Sequence, residues 1–148
     1  MLRQPEEPRQ VPGADAVPIR VLAAVIFRDG RVLVAQRARH KRHGGLWEFP
    51  GGKLERGETQ LEAARRELAE ELRLVVTSVR RHLVSFDDPG SPFIIEFVEV
   101  QTEGHPNPRE HEAIAWIAPA RLADFSLAPA DARFAEWLVQ QGQSGPFP

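Results

Sequence analysis

The sequence predicts an α/β fold in which helices are layered on a mixed β-sheet. Two observations point there: short runs rich in β-branched and apolar residues recur along the chain, and two segments carrying helical features alternate with them. At 148 residues the chain has room for one core of ordinary domain size. A hydrophobic share of 42% with 27% charged residues is the balance of a soluble globular protein. The formal charge of −2 gives no overall basic field, so no nucleic-acid polymer is expected as a partner. The absence of cysteine excludes a disulfide framework, a thiolate nucleophile and cysteine-ligated zinc. No window is apolar enough to span a membrane, and Met1 to Glu7 lack the apolar stretch of a signal peptide, so a cytoplasmic location is expected.

Residues 1–18 carry Pro5, Pro8, Pro12 and Pro18 among scattered charges and read as a flexible arm, because such a segment buries too little apolar surface to offset its ordering entropy. A single domain is expected over 19–141, followed by a flexible tail at 142–148. The apolar run from Ile19 to Phe27, the turn Arg28-Asp29-Gly30-Arg31 and the return Val32 to Ala35 predict a hairpin. A basic loop from Arg37 to His43 leads to Leu46-Trp47-Glu48-Phe49-Pro50-Gly51-Gly52, where glycine and proline predict irregular backbone. Thr59 is placed to cap a helix running to about Leu72, ended by Val75-Val76. Val79–Val84, Phe93–Val100 and Ala113–Ile117 predict further strands. Ala130–Gln140 predicts a second helix from the spacing of Phe134, Trp137 and Leu138.

The first helix carries the chemistry. Residues three and four apart share a face, so Glu67, Glu70 and Glu71 gather three carboxylates on one side, while Leu61, Ala64, Leu68 and Leu72 form an apolar stripe for docking on the sheet. Like charges so placed repel and call for a cation, and magnesium suits hard oxygen ligands while keeping positions open for water and phosphate. Arg66, one turn before Glu70, is placed to pair with it. A merely solvated charged face is the competing reading of the helix alone.

Gly52, five residues, Glu58, seven residues, Arg66-Glu67-Leu68, one residue and Glu70-Glu71 together resemble the signature box of the Nudix hydrolase family. The departure is Arg73, where the pattern has glycine before the apolar Leu74; glycine there supplies a left-handed helix end, which Arg adopts at a cost of about 1 kcal/mol unless the helix ends otherwise. The resemblance implies the Nudix fold, an α/β/α sandwich around a mixed sheet. It also implies Mg²⁺, with Mn²⁺ as a substitute, held by Glu67, Glu70, Glu71 and the Gly51 carbonyl, with Glu55 and Glu58 as secondary candidates and Arg66 as a catalytic-site residue.

Leu46 to Lys53 resembles the corresponding loop of MutT-like members, which implies nucleotide contacts at Arg37, Glu48, Phe49 and Lys53. Arg37 stands where an arginine meets phosphate; an exposed basic loop residue is the other reading. Phe49 is open to two readings, base-pocket wall or core. Glu110-His111-Glu112 before Trp116, and Leu127-Ala128-Pro129-Ala130-Asp131, resemble the CTP pyrophosphohydrolase and 8-oxo-dGTP diphosphatase branch. By that match Glu110 is a loop carboxylate acting as general base or extra ligand. Asp131 either reads an amino-bearing base or caps the second helix. His40, His43, His82, His105 and His111 show no paired ligand spacing and carry no metal expectation.

The implied activity is Mg²⁺-dependent hydrolysis of a nucleoside triphosphate to monophosphate and pyrophosphate, on modified or non-standard (d)CTP or (d)GTP such as 8-oxo-dGTP, by a monomer or homodimer. ADP-ribose or dinucleoside polyphosphates are the alternative substrates, and a non-catalytic nucleotide sensor is the alternative class.

Overall fold

The structure is a computed structural model and describes residues 17–144, with side chains to residue 142. The expected arm falls mostly outside these residues, as does the end of the tail. Strand β1 (Ile19–Val25) is followed by the short β2 (Phe27–Arg28) and β3 (Arg31–Gln36). The expected hairpin exists, with Asp29 and Gly30 at positive φ, but Ile26 breaks its first strand in two. The glycine loop is more ordered than expected, since β4 (Trp47–Glu48) and β5 (Gly51–Lys53) lie within it. Helix α1 (Gln60–Leu72) precedes the long hairpin of β6 (Val75–Asp87) and β7 (Phe93–Glu103), then β8 (Ala113–Ile117), a 3-10 turn (Pro119–Asp124) and helix α2 (Pro129–Ser144). The second helix therefore starts at Pro129 and runs past Gly142, through the expected domain edge at 141.

Two sheets form. In the mixed sheet, ordered β5-β1-β7-β6, β1 runs parallel to β7 and the other pairings are antiparallel. In the second, β3 pairs antiparallel with β2, β4 and β8. Alternation along β1 explains the layering. Leu22, Ala24 and Ile26 face a core shared with Ala64, Leu68 and Leu72 of α1, whereas Ala23 and Val25 face one shared with Phe134 and Leu138 of α2. Each face of β1 thus has its own helix, the α/β/α arrangement. Burying a large apolar side chain contributes roughly 1.5–3 kcal/mol.

Helix α1 is fixed at both ends. Thr59 Oγ1 accepts from the Glu62 backbone N–H at 3.1 Å and the Glu62 carboxylate accepts from the Thr59 N–H at 2.9 Å, a reciprocal capping box. Arg73 takes the left-handed conformation, φ 57° and ψ 30°, and its N–H reaches the Ala69 carbonyl at 3.2 Å. The helix thus ends as a glycine would end it. No helix among the described residues is long and apolar enough to cross a membrane.

Candidate active site

The carboxylates of α1 meet the glycine loop at close range. A Cβ at Gly52 would fall on the Glu67 carboxylate, and one at Gly51 on the Leu22 carbonyl. At Gly51, where the neighbour is backbone, only glycine permits that approach. The Gly51 N–H then donates to Glu71 Oε1 at 3.2 Å, and burial, with the charges of Glu67 and Glu48 adding to it, pushes the Glu71 carboxyl up to about 8. Burial also raises Glu67, outweighing its contact with Arg66.

Arg66 meets Glu70 as expected, at the outer limit of an ion pair, and has closer partners. It stands 4.0 Å from Glu70, but its Nε and Nη2 donate to the two Glu58 oxygens at 2.8 and 2.9 Å, and its Nη1 to Glu67 Oε2 at 2.9 Å. Forked guanidinium geometry favours the bidentate partner over a neighbour one turn on. Glu58, held by Arg66 and by the Glu55 N–H, is pushed down to about 2. Glu70 remains 65% exposed.

Beside Glu71 opens a cavity of about 50 Å³ lined by Arg37, Ala38, Lys41, Glu48, Glu110 and His111. Glu48 lies between Arg37 Nη1 at 3.2 Å and His111 Nε2 at 3.1 Å. Facing a carboxylate, that nitrogen serves as the donor. Arg37 is further tied by its Nε to the Arg42 carbonyl at 2.8 Å. Glu110 lies at the rim, bonded to Lys41 Nζ at 3.0 Å, and that hydrogen bond lowers its carboxyl. Its loop is tied to the carboxylate helix: the Asn107 and Arg109 N–H groups donate to the Leu72 and Glu71 carbonyls at 2.8 and 3.1 Å.

Three further residues take these places. Phe49 is 4% exposed and packs edge-on against Phe97 and Phe134, in the core. Lys53 places its ammonium 5.1 Å from the Phe93 ring centre, away from the cavity lining, and its carbonyl accepts from Arg66 at 3.0 Å. Asp131 stands inside the first turn of α2, where its carboxylate meets its own backbone N–H. It is buried, with Oδ1 accepting from the Phe49 N–H at 2.8 Å. Burial pushes its carboxyl up to about 7, the Phe49 bond opposing and the Glu48 charge assisting. His111 was missed: its side chain is 7% exposed, and its buried Nδ1 meets no partner among the described residues. Its place between Glu110 and Glu112 was the available signal.

Among the described residues no three acidic or histidine side chains converge as they stand into a metal cage. The donor chemistry nevertheless fits a hard divalent cation: Glu67, Glu70 and Glu71 offer oxygen ligands on one helix face, and Glu71 is a buried carboxylate crowded by like charge. The Gly51 carbonyl belongs to the same loop.

The NUDIX domain model matches residues 17–138. The chain is 40% identical over 116 residues to CTP pyrophosphohydrolase of Escherichia coli, covering 76% of this chain and 85% of that protein. It is 30% identical over 127 residues to 8-oxo-dGTP diphosphatase of Haemophilus influenzae, covering 83% and 93% respectively. A solved MutT structure, from work on Aliivibrio salmonicida and Vibrio cholerae, superposes with a TM-score of 0.72 at 32% identity, covering 83% of this chain and 98% of that one.

Proposed function

The chain belongs to the Nudix family, and from that premise we propose that it is a MutT-like pyrophosphohydrolase that cleaves a nucleoside triphosphate to the monophosphate and pyrophosphate. The observation that carries the reading is the largely buried Glu71, held by the Gly51 N–H amid the charges of Glu67, Glu48 and Glu110, at the edge of a cavity that Arg37 and Lys41 also line. So much negative charge beside two cationic side chains suits a site that takes a cation together with a polyanion. The likeness to enzymes named for CTP and 8-oxo-dGTP supports a modified or non-standard (d)CTP or (d)GTP as substrate.

Glu67, Glu70 and Glu71, with the Gly51 carbonyl, would hold Mg²⁺ or Mn²⁺, which when bound would supply positive charge against the polyphosphate and acidify water. Arg66 fixes the Glu67 carboxylate through its fork with Glu58. Glu110 takes the proton of the attacking water, and Arg37, braced by Glu48, meets phosphate. Asp131, with one oxygen committed to the Phe49 N–H, reads an amine on the base with the other.

The test is kcat/KM with Mg²⁺ over dCTP, 5-methyl-dCTP, CTP, dGTP, 8-oxo-dGTP, ADP-ribose and a diadenosine polyphosphate, repeated for Glu70→Gln. A triphosphate is expected to be cleaved fastest, with the variant slower by at least about a hundredfold. A faster dinucleotide or ADP-ribose overturns the substrate class, and binding without pyrophosphate release points to a sensor.

A further inference from the structure

Resting on the pyrophosphohydrolase reading, we propose that Lys41 captures the substrate's phosphates and, until they arrive, holds Glu110 aside. Arg37, the phosphate contact the sequence points to, is held in place by Glu48 and by the Arg42 carbonyl, which leaves the first capture of a polyanion to a more mobile cation. Lys41 lines the same cavity, and its ammonium lies 3.0 Å from Glu110 Oε1, bridging the basic loop and the loop of residues 104–112. Both tips reach water, Lys41 being 42% exposed and Glu110 68%. An ion pair so placed is screened and readily exchanged. A di- or triphosphate brings more charge and more acceptors than one carboxylate, so the ammonium transfers to it.

The loops themselves need not move. On one side the Arg37 N–H bonds to the Leu46 carbonyl and the Gly45 N–H to the Arg37 carbonyl, both at 2.9 Å. On the other, the Asn107, Arg109 and Glu112 N–H groups are bonded to the Leu72, Glu71 and Gln36 carbonyls. The exchange is a side-chain swing at the tips, for which a compact charge on a flexible stem is well suited. Arg39 and Arg42, exposed on the same loop, add to the field that draws a polyanion in. A polyphosphate that takes Lys41 thus releases Glu110 beside Glu71, which links arming of the site to its occupancy.

The chain's two lysines, Lys41 and Lys53, give a direct readout, with Lys53 over the Phe93 ring as internal reference. Acetylation of the full-length protein by an N-hydroxysuccinimide ester is followed by mass spectrometry with Mg²⁺, with and without inorganic pyrophosphate. Pyrophosphate is expected to slow Lys41 severalfold and leave Lys53 unchanged, in the wild type and in Glu110→Gln alike. In kinetics, Lys41→Gln is expected to raise KM for the triphosphate by about tenfold, more than it lowers kcat, and Lys41→Arg to restore most of it. Equal labelling of Lys41 with and without pyrophosphate, or an unchanged KM in Lys41→Gln, overturns the proposal. Protection by pyrophosphate in a protein that cleaves no triphosphate sustains phosphate capture and sinks the reaction assignment instead.

Discussion

Two arginine–glutamate networks, one on the mixed sheet and one at helix α1, do opposite things. In the first, Arg20 on β1 forks onto Glu96 on β7, and Gln60 at the start of α1 donates to the same carboxylate at 2.9 Å. Burial works upward on Glu96, but the hydrogen bonds from Arg20 and Gln60 outweigh it and hold the carboxyl below its usual range. Cation and anion balance, and the network ties strand to strand and helix. In the second, Arg66 faces Glu58 and Glu67 at once, and Glu71 is left with an N–H in place of a cation. The structural network satisfies its charge internally, whereas the site holds negative charge in reserve for something that arrives from outside. That imbalance marks function better than the presence of charge does.

The largest expected effect comes from removing the reserve. Glu71→Gln should lower kcat/KM by about a thousandfold or more while the fold survives. Because the Glu71 carboxyl is raised from 4.5 to about 8, its ionised form is disfavoured in the folded protein, so it costs stability as pH rises through that window. The metal-free variant should accordingly be the more stable protein at pH 8 to 9 by thermal unfolding, and an equal or lower Tm there would contradict the account. Arg66→Ala is next: loss of the fork between Glu58 and Glu67 should cost roughly 10- to 100-fold in activity, with a weaker response to added Mg²⁺.

Asp131→Asn tests a carboxylate outside both networks. Its carboxyl is raised from 3.8 to about 7, so stability falls as pH rises between those values; the amide keeps an acceptor for the Phe49 N–H and should be flatter across that range in denaturant melts. The smallest effect on activity belongs to the balanced network. Glu96→Gln should leave kcat/KM within about twofold and cost about 1 kcal/mol at neutral pH. Since the Glu96 carboxyl is depressed, its contribution is present above the unfolded value and lost as pH falls through the folded one, so the gap between variant and wild type should close on acidification. A large activity loss in Glu96→Gln would erase the distinction between the networks.

What was legible in the sequence follows from the range of the interactions involved. Helix α1 declared itself because its cap, its apolar stripe and its carboxylate face are all set by spacings of three and four residues. The strand periods placed β1, β3, β7 and β8 for the same reason. Contacts across the fold were not legible. Arg66 pairs with Glu58, eight residues back and before the helix, so reading along the helix face pointed to Glu70 instead. Asp131 bonds the Phe49 N–H across 82 residues, a partner that neither of its two sequence readings, cap or base contact, named. The strands β4 and β5 exist because β3 and β1 offer them partners, a tertiary decision that glycine and proline composition concealed.

The bond from the Phe49 N–H to Asp131 joins two ends of the site. Asp131 grips the Phe49 amide, Gly51 grips Glu71, and a single stiff proline separates those two residues of the loop. On the proposed reading of Asp131 as a base contact, a base that fits badly and drags Asp131 with it would pull on this short lever and tilt the carboxylate at its far end. Discrimination against the wrong nucleotide would then appear in the speed of cleavage as well as in the grip.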